Sequence, residues 1–167
     1  MNRRLFFHTL AAVSAAWTTG KLGAQNKYTG PRPPKPDVPY LLHATNLLET
    51  EAAEASEEKR KDDTAYVVSG TASPARTPLA EPIFLIEAKK LVPEKLQLYK
   101  LEAKNGKREV VFPPPNKRKK DGARPIHMSY RRLGEGLFRI EANEFLVNGE
   151  YALTPEGSNQ VFLFQVY

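Results

Sequence analysis

Cysteine is missing from all 167 positions. The chain therefore carries no disulfide, no thiolate metal centre, no thiol nucleophile and no cysteine-borne lipid anchor. Histidine is scarce, with only His8, His43 and His127. No His-x-His or His-Glu-x-x-His spacing groups them as metal ligands. There is no glycine-rich phosphate loop and no Gly-x-Ser-x-Gly elbow; Ser158 stands in Glu-Gly-Ser-Asn, which is turn chemistry. The paired acids Glu57-Glu58 and Asp62-Asp63 sit in a charge run, with no apolar setting to shift a pKa. These absences favour a non-enzymatic protein without a cofactor, metal site or catalytic residue. The rival reading is a small hydrolase or metal-dependent enzyme using His43 or His127.

What is present begins at the N-terminus. Arg3 and Arg4 precede an uncharged stretch, Leu5–Gly20, that is shorter than the roughly 20 apolar residues of a membrane-spanning helix. Leu22-Gly23-Ala24 then offers a small residue before a cut. Charge, apolar run and small-residue site in that order predict a cleaved export signal over residues 1–24, with Gln25 as the new N-terminus. Arg3-Arg4-Leu5-Phe6-Phe7 resembles the core of a twin-arginine signal, although Asn2 stands where Ser or Thr is usual and His8 where Lys is common. An ordinary secretory signal remains the alternative. Either route places the protein in the periplasm or outside the cell, with no transmembrane anchor after cleavage.

Loss of Arg3, Arg4 and Lys21 takes the 25 basic residues to 22 against 19 acidic ones, leaving 143 residues at a net charge of +3. That is one domain's worth of chain and a mild basic excess, not the footprint of a dedicated nucleic-acid binder. Residues 25–39 hold Pro31, Pro33, Pro34, Pro36 and Pro39 and read as a stiff linker. Residues 40–167 read as one folded domain.

Most of that domain carries strand signals. Ile83–Ile86 is an apolar run of buried-strand type. Asn105-Gly106, between Leu96–Glu102 and Arg108–Phe112, predicts a tight hairpin, because both turn positions need φ > 0. Phe162, Phe164 and Val166 share one face of the last strand and are assigned to the core. Glu49–Arg60 suits a helix by composition, or a charged hairpin turning at Lys59–Asp63; the hairpin is the preferred reading. Gly149-Glu150-Tyr151 before a strand resembles a tyrosine corner, with Tyr151 as the pinning residue. The fold expected is all-β: an immunoglobulin-like antiparallel sandwich of about seven to nine strands.

On a sandwich, loops carry contacts. Arg76 and Glu81 lie in a proline-spaced loop, and Lys117, Arg118, Lys119 and Lys120 form a basic tip. These six are the candidate binding residues. The tip suits an anionic surface polymer, and no aromatic is interleaved to stack a base. The run Arg76–Leu85 (Arg-Thr-Pro-Leu-Ala-Glu-Pro-Ile-Phe-Leu) and the ending Gly149–Tyr167 (Gly-Glu-Tyr-Ala-Leu-Thr-Pro-Glu-Gly-Ser-Asn-Gln-Val-Phe-Leu-Phe-Gln-Val-Tyr) resemble a group of uncharacterised exported β-rich proteins of environmental bacteria. The resemblance spans about residues 40–167 and implies the exported class and the domain extent. It transfers no functional residue. The function expected is an exported binding or interaction module of the cell envelope, its partner an envelope protein or a surface polymer.

Overall fold

Short runs of branched and aromatic residues, separated by Gly, Pro, Asn and Asp turns, form an all-β protein in the computed structural model, which describes residues 28–114 and 123–167. Among the described residues the strands are β1 Tyr40–His43, β2 Asn46–Glu49, β3 Glu51–Glu54, β4 Ser56–Arg60, β5 Asp63–Ser69, β6 Arg76–Thr77 and β7 Ile83–Glu87. They continue as β8 Leu96–Lys104, β9 Lys107–Phe112, β10 Met128–Arg132, β11 Leu137–Ala142, β12 Gly149–Pro155 and β13 Gln160–Val166.

Two sheets result. The first has five antiparallel strands in the order β10-β11-β7-β1-β2, and the second has eight, in the order β3-β13-β12-β8-β9-β5-β4 with β6 added parallel to β13. The expected all-β sandwich is present. Its sheets hold more strands than seven to nine, because the charged Glu49–Arg60 segment and the short Arg76–Thr77 run both add strands. Glu49–Arg60 is strand and not helix. β4 turns into β5 through Lys61 at φ +54°, in register Arg60 to Asp63.

The sandwich core lies where the first sheet faces β8, β12 and β13. Leu41, Phe84, Ile86 and Ile140 meet Leu98, Tyr151, Leu153, Phe162 and Phe164, all 0–1 % exposed. At about 25 cal/mol per Å² of apolar surface, each such side chain contributes on the order of 2 kcal/mol.

The larger sheet does not stay flat. Only Ala55 separates β3, which pairs with β13, from β4, which pairs with β5. The run Glu51–Arg60 thus belongs to both ends of the sheet and rolls it into a six-stranded antiparallel barrel of Glu51–Arg60, β5, β9, β8, β12 and β13. Ala55 N–H donates to the Asn159 carbonyl at 2.8 Å, continuing the seam across the join. β8, β12 and β13 are therefore covered on both faces, by the sandwich core outside and by barrel residues inside. Val161-Phe162-Leu163-Phe164 is buried at every position for that reason.

Three local readings hold in detail. Asn105 and Gly106 take φ +52° and +77° in the β8–β9 turn, where Lys104 faces Lys107. The Tyr151 hydroxyl donates to the Val147 carbonyl at 2.6 Å, pinning the entry to β12. Gly149 opens that strand, and a Cβ on it would stand 3.2 Å from Lys100 Cε. The proline-rich segment expected as a linker is held to the domain at its far end. Pro33 and Pro39 are buried, Asp37 N–H donates to the Glu87 carbonyl at 2.8 Å, and one Asp37 carboxylate oxygen accepts from the N–H groups of Lys89, Lys90 and Leu91 at 2.8, 2.8 and 3.0 Å. Among the described residues no helix is long and apolar enough to cross a membrane.

Candidate functional site: a cavity in the barrel

Strand alternation decides what the barrel interior holds. On β5 the inward residues are Thr64, Tyr66 and Val68; on β9, Arg108, Val110 and Phe112; on β8, Gln97, Tyr99 and Leu101. β12 contributes Glu150, Ala152 and Thr154, and the Glu51–Arg60 run contributes Glu51, Ala55, Glu57 and Lys59. These residues do not fill the barrel. They line a cavity of about 530 Å³, open at the mouth, above an apolar floor of Val68, Leu101, Ala152, Val161 and Leu163. That size falls within the range of ordinary small-molecule pockets, roughly 300–1,000 Å³.

One wall is aromatic. Phe112 meets Tyr66 edge-on at 5.7 Å and 83°, and Tyr99 edge-on at 5.2 Å and 82°. The Tyr99 hydroxyl donates to Gln97 Oε1 at 2.9 Å, so Gln97 keeps its amide N–H groups for another acceptor. Burial pushes the Tyr99 hydroxyl pKa up, with the Glu156 carboxylate adding to it, so it stays protonated. The mouth is polar. Glu57 and Lys59 pair with each other at 3.2 Å, and Thr154 Oγ1 donates to the carbonyl of Gln160 at 2.9 Å, holding the exposed turn of Gly157, Ser158 and Asn159.

The opposite end is plugged by charge. Arg108 is 1 % exposed and binds Glu51 through two hydrogen bonds of 2.8 and 2.9 Å. It also donates to the carbonyls of Ser69 and Gly70 at 2.9 and 3.2 Å. Glu150, 4 % exposed, lies 3.5 Å from the same guanidinium and accepts from Ser73 N–H at 3.0 Å. The two carboxyls respond in opposite directions. Arg108's hydrogen bonds hold Glu51 below the usual carboxylate range, whereas burial pushes Glu150 above it, the weaker pull of Arg108 and Ser73 notwithstanding.

The residues singled out from sequence lie elsewhere. Arg76 is on β6, at the end of β13 where Gln165 accepts its Nε–H at 2.6 Å and the Tyr167 ring lies 4.3 Å below its guanidinium. Glu81 is exposed in the loop before β7. Lys117, Arg118, Lys119 and Lys120 lie outside the described residues, as does the segment expected to be an N-terminal signal. His43 closes β1 and is hydrogen-bonded to Thr77 Oγ1 at 2.9 Å. His127 precedes β10, and β7 and β11 lie between it and β1. Three strand spacings, roughly 14 Å, therefore separate the two histidines. Among the described residues no group of three or more His, Cys, Asp or Glu is placed to hold a metal ion.

None of the cavity residues stands out in the sequence as a site residue, because each reads as an ordinary strand position. The signal that does exist is parity: Arg108 shares a face with Val110 and Phe112, which marks it as an inward arginine. No family model, curated protein or solved structure matches the chain.

Proposed function

We propose that the protein is an exported, non-enzymatic binding module of the bacterial cell envelope, and that its ligand site is the barrel cavity. The observation that carries this reading is the cavity itself: an open pocket of about 530 Å³ with a polar rim, in a barrel whose far end is closed by ion pairs. The pocket opens to solvent at the barrel mouth, as a concave small-molecule site must. The signal expected over residues 1–24 is what supports the location.

The full chain, titrated with the uncharged dye Nile red, tests the site. Entry into an apolar cavity shifts the dye's emission to the blue. Val110→Trp, which places an indole in the cavity wall, should abolish the shift. No shift with the parent protein, or an equal shift with the variant, overturns the reading. The address has its own test: in a host carrying both export routes, Arg3→Lys with Arg4→Lys should block export if the route is twin-arginine and spare it if the signal is an ordinary one.

A further inference from the structure

We infer that the cavity selects an uncharged compound that presents an aromatic ring with one phenol-like polar group. This inference rests on the binding reading above and narrows it to a ligand class.

Three features carry it. The wall formed by Tyr66, Phe112 and Tyr99 offers ring faces and edges to whatever enters, with Phe112 only partly buried between its two neighbours. Aromatic pairs in edge or offset geometry gain attraction beyond their buried area, an advantage a saturated ring of equal size does not share. At the rim Glu57 and Lys59 already face each other at 3.2 Å, and the Glu156 carboxylate near Tyr99 is exposed and screened by solvent. Below them the walls are uncharged, and the Arg108 guanidinium beneath the floor is committed to Glu51 and Glu150. An ionised ligand would lose its hydration without gaining a counter-charge. Finally, a single polar group on the ring has a partner in Gln97, whose carbonyl is engaged by Tyr99 and whose amide N–H groups remain to donate. The arrangement therefore accepts one ring, one hydrogen-bonding group and no net charge.

Displacement of Nile red from the full chain tests this with four probes of similar size: 4-methylphenol, cyclohexanol, benzoate and benzylammonium. 4-Methylphenol should displace the dye at a concentration about tenfold below the other three, the gain expected of one to two aromatic contacts. Phe112→Leu should erase that advantage over cyclohexanol while leaving cyclohexanol itself nearly unchanged. The parent protein's ranking stands as a test even if the variant folds poorly. If Nile red binds but cyclohexanol or either ion equals or exceeds 4-methylphenol, or if none of the four competes, the aromatic class is wrong and the cavity reading survives. If Nile red itself does not bind, the cavity reading is what fails.

Discussion

Arg108 on β9 and Glu51 on β3 meet across the floor of the barrel, guanidinium to carboxylate, through two hydrogen bonds of 2.8 and 2.9 Å. The two strands are not hydrogen-bonded to each other, since β5 lies between β9 and the Glu51–Arg60 run, so this pair ties non-adjacent strands together through the barrel interior. It does so at the one point where the barrel's seam, the Glu51–Arg60 run, begins. The pair works as a cross-brace on the closed end and leaves the other end open to form a cavity.

Removing the arginine should therefore be costly. Arg108→Met leaves the buried Glu150 and the half-buried Glu51 without their shared counter-charge. Breaking one side of a buried ion pair costs about 3–5 kcal/mol. The expected outcome is an unfolding free energy, read from urea titration, lowered by that amount, with unfolding still cooperative. A triple variant, Arg108→Met with Glu51→Gln and Glu150→Gln, should recover a large part of the loss, because no unpaired charge remains. A single-variant loss below about 1 kcal/mol would mean that packing, not charge, closes this end.

Glu150 should behave oppositely to Glu51. Burial raises its carboxyl above the ordinary 4.5, so the folded state holds this proton more tightly than the unfolded state. Stability from this group is therefore present below the ordinary value and is lost as pH rises through the raised one. Glu150→Gln removes the titration and keeps an acceptor for Ser73 N–H. At about pH 8 the variant should be as stable as the parent or more so, and the difference should vanish near pH 4, where the parent's carboxyl is protonated. Denaturant midpoints at both pH values check this. A variant that is less stable at the higher pH and equal at the lower would show that the Glu150 carboxylate is a net partner of Arg108.

The tyrosine corner gives a cleaner single-bond test. Tyr151 is 1 % exposed, its ring stacks on Phe164 at 5.5 Å and 20°, and its hydroxyl bonds the Val147 carbonyl at 2.6 Å. Tyr151→Phe keeps the ring and removes only the hydrogen bond. The expected loss is about 1–2 kcal/mol by thermal or urea unfolding. An unchanged midpoint would show that Val147 finds water instead, since that residue is itself exposed.

The fold was legible in the sequence wherever the signal is local. Asn105-Gly106 needs two positive φ angles, and Gly149-Glu150-Tyr151 sits at a strand entry; both read correctly from a handful of residues. Phe162, Phe164 and Val166 alternate, and their face is core. The opposite face, Val161 and Leu163, is equally buried, and the unbroken apolar run was the clue that β13 lies between two interiors. Barrel closure was not legible. It depends on β3 meeting β13, over 100 residues away, through Ala52 and Ala53, which carry no strong strand preference. The cavity follows from closure, so it was hidden for the same reason. Arg108 looked like one more charge in a Lys-Arg-Glu run, and only its shared parity with Val110 and Phe112 distinguishes it.

Asp37 is one anchor of the proline-rich segment, beside the buried Pro33 and Pro39 and the core-packed Val38. Its backbone sits at φ +60°, a region that Asn and Asp adopt more readily than Ala, and one carboxylate oxygen gathers three N–H groups of the 89–91 turn. Burial pushes the carboxyl up, but the N–H groups of Leu91, Lys90 and Lys89 outweigh it and hold the pKa below the ordinary 3.8. The stabilisation is therefore present above the ordinary value and is lost as pH falls through the lowered one. Asp37→Ala should cost about 2 kcal/mol at neutral pH, from hydrogen bonds to a charged acceptor and the strained φ together. Asp37→Asn should cost about half as much, because it keeps the backbone angle and a neutral acceptor. Amide exchange at Lys89, Lys90 and Leu91 reports the site directly: protection should drop in both variants, most in Asp37→Ala, and in the parent protein it should weaken only in acid. Unchanged protection in Asp37→Ala would show that the turn holds itself and that the segment is fixed without the Asp37 carboxylate.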